Sequence, residues 1–552
     1  MTAENKAGPA VQTTPSRESP AQTTQVLIVG GGPVGLALAA ELGRMNIDCI
    51  LVDQRDGTIG FPKMNMVSSR SMEFCRRWGI AARVREVGWP DEFPLNIAFV
   101  TAMTGYELAR FDYPGYAERG AMSHTPDGNR RCPQTLFDPI LQARVREFAS
   151  VGLQYRARLE EFTQDADGVT ATIRDLDAGG TRRIRAAYLA GCDGADSLVR
   201  AAAGIEMIGN PALTHNINVF FTAAELPGWV DHGRCWANWL VGPDGQWGNI
   251  VAVDGHDKWR LSMTGFREGD VLSDAEAAAR VRRAVGCDFD FEVHNALPWT
   301  RKQQVAETYR RGRVFLAGDA AHLLSPTGGF GMNTGIGDAV DLGWKLAATL
   351  DGWGGPVLLD SYEAERRPIG VANVTEATRN HSKLAALPRG AAIAEDSPAG
   401  EDLRARIRET IETGGYNQEY EAEGLIVGYS YDGSPVIVPD GTPCVPQTVS
   451  EYRPNTRPGA RAPHAWISED VSTLDLFGDG LTLLRTDGGG QSLADAAEDA
   501  GVPLSVHDIT DPEIAALYES PLVLVRPDGH VCWRGTEPAG AAAVIATVRG
   551  AA

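Results

Sequence analysis

One stretch constrains this chain more than any other: Gln25 to Asp53, QVLIVGGGPVGLALAAELGRMNIDCILVD. Val26, Leu27, Ile28 and Val29 form a short apolar run suited to a strand buried on both faces. Gly30, Gly32 and Gly35 follow it as G-x-G-x-x-G, with Pro33 and Val34 inside the pattern. The first glycine permits the tight turn, the second lets a pyrophosphate approach the backbone, and the third lets the next helix pack on the strand. That helix offers free N–H groups at its start, and Leu36, Leu38, Ala39, Ala40 and Leu42 give it an apolar side. Cys49 to Val52 begin a second strand, which ends at Asp53. An acid there accepts both hydrogen bonds of an unphosphorylated ribose, so the expected nucleotide is FAD or NAD, not NADP. Arg55 reads as a solvated arginine rather than a phosphate reader.

With 552 residues the chain has room for two or three domains, each with its own core. Its formal charge is −21, with no basic and aromatic cluster, which argues against nucleic acid or an anionic membrane as partner. Eight scattered cysteines without a C-x-x-C pair point to reduced thiols, a cytoplasmic protein and no metal or disulfide scaffold. Residues 1–24, rich in Thr, Pro, Ala, Gln and Ser, read as a disordered leader without the apolar core of a signal peptide. No segment reaches the ~18 apolar residues of a membrane span.

Beyond Asp53, the loop FPKMNMVSS is expected to cross the nucleotide, and a helix carrying Met72, Cys75, Trp78 and Ile80 follows. Residues 95–113 alternate as strands of an inserted sheet. A helix then begins near Gln134, with Leu136, Ile140, Leu141 and Val145 as its packed face; the Gln134 amide either reaches a polar ligand or only touches backbone. Three strand-like runs between Leu153 and Leu189 lead to AYLAGCDGADSLVR, where Asp193 ends a strand beside a helix start. Trp236, Trp239, Trp247 and Trp259 mark a second sheet, one wall of a pocket.

Arg313 to Leu350 repeats the order strand, acid, glycines, helix. Val314 to Ala317 is the strand, Asp319 is placed to accept from a sugar-like hydroxyl, and a loop through Pro326, Gly328, Gly329 and Gly331 leads to a helix from about Asn333. The positive end of that helix, at Met332 and Asn333, suits an anionic ring. From Pro458 on, alternating strands and helices suggest a small α/β domain with a structural role.

GGGPVG at 30–35, CDGADSLVR at 192–200 and AGDAAHLLSPTGGFGMNTG at 317–335 together resemble the three fingerprints of FAD-dependent aromatic hydroxylases of the p-hydroxybenzoate hydroxylase fold. The tail, from GYSYDGSPVIVPDGTP to VRPDGHVCWRG, resembles the phenol-hydroxylase-like and polyketide-hydroxylase branch, whose thioredoxin-like C-terminal domain is not a redox centre. The resemblance implies an α/β fold: a Rossmann-like FAD-binding domain (25–205, with inserted strands, and 313–385), a mainly β substrate domain (206–312), a helical connection (386–457) and a thioredoxin-like domain (458–552). It implies that Gly30, Gly32, Pro33, Val34 and Gly35 hold the FAD pyrophosphate and Asp53, where glutamate is more usual, the ribose. Arg70 and Gln134 match positions that contact FAD, Asp193 a motif shared by FAD and the nicotinamide, and Asp319 the ribityl aspartate. The loop at Pro326 and the backbone of Gly331, Met332 and Asn333 match the isoalloxazine cradle.

The implied reaction is hydroxylation of a phenolic or polycyclic aromatic substrate with O2 and transient NADPH or NADH, through a flavin C4a-hydroperoxide. Asn65 stands where phenol hydroxylases carry an acid, so it either orients a substrate hydroxyl or simply occupies the loop. Baeyer–Villiger insertion on the same scaffold and a FAD-containing binding protein without turnover are the alternatives. A flavin halogenase is disfavoured, because its W-x-W-x-I-P stretch is absent. The expected assembly is a monomer or homodimer.

Overall fold

The computed structural model describes residues 22–229 and 233–552. Residues 1–21 of the expected leader lie outside the described part, and Gln22 to Thr24 already belong to the first strand, Gln22–Val29. That strand sits mid-sheet. It pairs in parallel with Cys49–Val52 on one side and Thr181–Gly191 on the other. Val151–Gln154 extends the sheet beyond Cys49–Val52, and Val314–Leu316 extends it beyond Thr181–Gly191. The register aligns Val29 with Val52 and Gly191, and Gly191 with Leu316. Gly30, Asp53, Cys192 and Ala317 therefore leave the sheet at one carboxyl edge, where open parallel sheets bind ligands.

The helices Pro33–Arg44 and Phe330–Leu350 both follow strands at that edge. The second starts three residues before the expected Asn333, because Gly329 takes a left-handed φ of +67° as its N-cap. In Gln134–Val145 the inward face is Phe137, Ile140, Leu141 and Val145, whereas Leu136 is 36% exposed; Pro139 inside the helix removes one N–H but does not end it. The three runs expected between Leu153 and Leu189 are Ala157–Gln164, Val169–Asp175 and Thr181–Gly191, an antiparallel meander, while Val151–Gln154 before them joins the parallel sheet.

The second sheet runs from Glu292–Ala306 through Met207–Thr222, Lys258–Phe266 and Gly245–Ala252 to Ala237–Gly242. Ile97–Val100 and Glu107–Phe111 continue it, Ile97–Val100 pairing in parallel with Ala237–Gly242. The strands expected as an insertion are thus the far edge of the substrate sheet; alternation marks a strand but not its partner. One face packs Ile217, Val219, Phe221, Trp259, Leu261 and Met263 on the helix Asp274–Val285. The other face turns toward the nucleotide-binding sheet, and part of it is covered by Leu403, Ile407 and Ile411 of the helix Pro398–Thr413. After Glu423–Ile426 the connection is irregular rather than helical.

The C-terminal unit is a four-stranded sheet ordered Leu504–Asp508, Leu481–Arg485, Leu522–Val525, Val531–Gly535. Leu481, Leu483, Leu522, Leu524 and Ile545 pack on Trp344 and Ala348 at the far end of the helix Phe330–Leu350.

Candidate active site

The first glycine turn divides its labour. Gly30 has φ +110°, and a Cβ there would stand 2.3 Å from the Cys192 carbonyl oxygen. At Gly35 a Cβ would stand 1.9 Å from the Gly30 oxygen, so strand and helix touch through backbone. Gly32 differs: its backbone is ordinary extended chain (φ −79°, ψ −178°), and a Cβ there would meet nothing within 4 Å. Space, not strain, requires glycine there. Pro33 opens the helix at a position where no N–H is needed. A Cβ on Gly318 would meet Val34 Cγ2 at 2.8 Å, so the first and third fingerprints pack on each other.

Asp53 is buried at the sheet edge and accepts from the Gly31 N–H (2.6 Å) and the Arg55 N–H (2.7 Å). The Arg55 guanidinium also folds back onto it at 3.3 Å, so this arginine is an ion-pair partner rather than merely solvated. Asp319 is exposed to the cleft and has no hydrogen-bond partner among the described residues. Protein crowds it from every other side: burial raises its carboxyl above the ordinary value, with His322 and Lys63 acting against the rise. Beneath it, Asp338 fixes the turn by accepting from the Gly318 N–H (3.1 Å), His322 Nε2 (2.7 Å) and Arg366 Nε (2.9 Å). Burial opposes that charge, but His322 and Arg366 hold the carboxyl below its ordinary value.

The N-terminus of the 21-residue helix Phe330–Leu350 opens on the same cleft, and its first-turn N–H groups lack helical acceptors. A Cβ on Gly331 would meet nothing within 4 Å. The Asn333 side chain faces away: its oxygen accepts from the Ser68 N–H (2.9 Å) and Ser71 Oγ (2.8 Å), tying the helix to the segment after Asn65. Pro326 is exposed on the preceding loop, its carbonyl accepting from the Gly329 N–H.

Other expected contacts are engaged with protein. Gln134 donates to Asp138 (3.1 Å) and accepts from the Lys63 N–H (3.3 Å), while burial pushes Asp138 up to about 7. Both Asp193 oxygens cap the helix Leu198–Ala202, accepting from Ser197 Oγ (2.5 Å) and the Val199 N–H (3.0 Å). Arg70 turns its guanidinium to Glu73 (2.8 Å) and the Asp528 carbonyl (2.7 Å) of the C-terminal unit, and shares a cavity with Phe330, Asn333 and Tyr429. The oxygen of Asn65 accepts from Arg131 Nη1 at 3.0 Å, and that guanidinium lies 3.2 Å from the Trp236 ring centroid.

Sequence reasoning passed over Lys63, whose charge acts on both Asp138 and Asp319. Its only sequence signal is a cation in the loop expected to cross the nucleotide. Glu419 was also missed; it accepts from the Gly328 N–H at 3.1 Å and so joins the helical connection to the glycine loop. Asp341, Glu365 and Asp528 converge as metal ligands would, but Lys345 and Arg526 stand among them as counter-charges.

The residues fit FAD. Open space at Gly32 and Gly331 admits a pyrophosphate and a flat ring, Asp319 offers a free acceptor to a hydroxylated chain, and Asp53 follows the neighbouring strand at the same edge.

Comparison with known proteins agrees. The FAD binding domain family matches residues 23–377, and the aromatic-ring hydroxylase C-terminal family matches 455–552. A putative polyketide hydroxylase of Streptomyces halstedii is 34% identical over 560 residues, covering 95% of each chain. Tetracenomycin A2 monooxygenase-dioxygenase of Streptomyces glaucescens is 36% identical, covering 92% of this chain and 93% of its own. Among solved structures, the rebeccamycin biosynthetic enzyme RebC with reduced flavin superposes with a TM-score of 0.90 at 42% identity, covering 97% of this chain and 100% of that one. Aklavinone-11 hydroxylase with FAD and aklavinone gives 0.80 at 31% identity, covering 96% and 99%. From its glycine turn to its C-terminal sheet, then, this chain belongs to the FAD-dependent aromatic-ring hydroxylases, a family of flavoprotein monooxygenases.

Proposed function

We propose that this enzyme hydroxylates a phenolic or polycyclic, polyketide-like aromatic substrate, consuming NAD(P)H and O2 and releasing water. The observation that carries the reading is one row of groups at a single sheet edge: the open Gly32 turn, Asp53, the unpartnered Asp319 and the helix start at Gly331, all opposite the second sheet. Bound there, FAD supplies reduction by NAD(P)H and transfer of one atom of O2 to the ring.

The protein supplies position and dryness. Asp53 and Asp319 fix the two hydroxylated ends of the cofactor, and the N–H groups at Gly331 and Met332 stabilise negative charge on the ring edge that meets them. Phe61, from the loop crossing the cleft, leans on Phe220 of the second sheet, their ring centroids 4.8 Å apart and tilted by 39°, and so bridges the loop to that sheet. Arg131 takes the oxygen of Asn65, which leaves the Asn65 NH2 as the end that orients a substrate hydroxyl oxygen. The eight unpaired cysteines support a cytoplasmic setting. No helix among the described residues is long and apolar enough to cross a membrane.

The test is rapid-mixing reduction of the FAD-loaded protein by NADPH and by NADH, with and without phenols and aromatic polyketides. Substrate-accelerated reduction followed by a hydroxylated product is expected. No acceleration and no oxygen uptake with any of them refutes the reading.

A further inference from the structure

The helix Gln134–Val145 carries a polar stripe whose middle member keeps an unanswered oxygen. Gln134, Asp138 and Gln142 recur at every fourth position, share one helix face and are buried. Gln142 donates to the Gly57 carbonyl (2.8 Å) and Gln134 accepts from the Lys63 N–H (3.3 Å), so the stripe faces the segment that follows Asp53. Asp138 stands between them. Its Oδ2 accepts from Gln134 Nε2 at 3.1 Å, but its Oδ1 is shut off from solvent with no hydrogen-bond partner among the described residues.

A second unanswered group adjoins the same segment. Tyr155 follows the strand Val151–Gln154, where the Asp53 N–H donates to the Gln154 carbonyl (3.0 Å) and the Arg156 N–H to the Arg55 carbonyl (2.9 Å). Its ring lies against both the glycine turn and that segment: a Cβ on Gly31 would stand 3.2 Å from Tyr155 Cε1, and one on Gly57 2.6 Å from Tyr155 Cζ. The Tyr155 hydroxyl is buried and, like Asp138 Oδ1, has no partner among the described residues. Burial pushes Asp138 up to about 7 and Tyr155 up to about 12; Asp53 adds to both shifts, Arg55 opposes both, and Lys63 opposes the first and Arg146 the second.

A buried carboxylate oxygen needs a donor and a buried phenol needs an acceptor, and one sugar hydroxyl is both. The pyrophosphate of FAD has no proton to give at neutral pH, and its ribityl chain is met by Asp319, beyond the strand Val314–Leu316. We propose that Asp138 and Tyr155 bind the adenosine ribose of FAD as a pair, Asp138 accepting from a ribose hydroxyl and Tyr155 donating to the oxygen of that hydroxyl. The inference rests on the reading that Asp53 holds this ribose, and adds to it a second carboxylate from a different element. It is independent of which oxygenation the flavin performs.

The test titrates full-length apoprotein, as wild type, Asp138→Asn and Tyr155→Phe, with FAD and with its 2′-deoxyadenosine and 3′-deoxyadenosine analogues. Quenching of flavin fluorescence reads Kd without turnover. Wild type should bind FAD about ten- to hundredfold more tightly than one of the two analogues, the range for a hydrogen bond to a charged group. D138N should narrow that gap about tenfold by weakening FAD alone, and Y155F about two- to tenfold, as for a neutral bond, with the analogue's affinity unchanged in both. The ionised carboxylate is the stronger acceptor, so wild-type FAD affinity should rise as pH rises through about 7, and D138N should flatten the rise. Apoprotein melts of both variants should match wild type.

The inference is overturned if D138N weakens FAD and both analogues alike, or if the gap survives in both variants, as it would were Asp138 and Tyr155 bridged only by a buried water. Tighter FAD binding below pH 7 also overturns it, since Asp138 would then merely repel the pyrophosphate. Failure of the Asp53 reading looks different: wild type binds FAD and both analogues equally, and Asp53→Asn changes all three affinities alike.

Discussion

Gly32 and Gly35 sit in one motif but are required for different reasons, and alanine separates them. At Gly32 the backbone already lies in a region open to any residue, and no atom lies within 4 Å of the added methyl. Gly32→Ala should therefore leave the apoprotein as stable as before, or raise its stability by the roughly 0.4–1 kcal/mol that a less flexible unfolded chain gives. The methyl does enter the space left for the pyrophosphate. Losing even one hydrogen bond to a charged group costs about 1.5–3 kcal/mol, or roughly ten- to hundredfold in FAD affinity. At Gly35 the methyl would stand 1.9 Å from a backbone oxygen, so the helix must part from the strand. Overpacking of that kind costs about 1–3 kcal/mol in the apoprotein itself. Thermal melts of apoprotein and titration of FAD by fluorescence quenching read the two effects separately. If G32A melts as low as G35A, or binds FAD as wild type does, the assignment of space to one glycine and packing to the other is wrong.

Asp319→Ala should weaken FAD about tenfold by titration, yet leave the apoprotein melt unchanged, because the carboxylate has no protein partner to lose. Arg526→Met strips the counter-charge from Glu365, Asp341 and Asp528, and urea denaturation should show a loss of about 3–5 kcal/mol, as for other broken buried pairs. Burial raises Glu419 from 4.5 to about 7, so between those values the folded state holds a proton that the unfolded state has released. Stability from this group is complete below about 4.5 and is lost as pH rises through about 7; Glu419→Gln should flatten that part of the pH–stability curve, and an unchanged slope in E419Q would refute it.

What could be read in the sequence was local. The glycine turn, Asp53 and Asp319 each declare themselves within a strand, a turn and a helix start, and parallel register alone then brings them to one edge. Arg70 shows where local matching falls short: its position in the motif says cofactor, but Glu73 three residues on and the distant Asp528 carbonyl take its guanidinium. Partners across long separations were not legible. Nothing near residues 97–111 says that these strands join Ala237–Gly242, and nothing near Lys345 says that Arg526 completes its charge cluster.

The most direct measurement is a single turnover of the reduced, FAD-loaded protein with an aromatic substrate under 18O2, followed by mass analysis. The account predicts a product carrying one heavy oxygen on the ring, with the remaining atom in water. A product labelled only from solvent water, or oxygen consumed with every substrate returned unchanged, would contradict it.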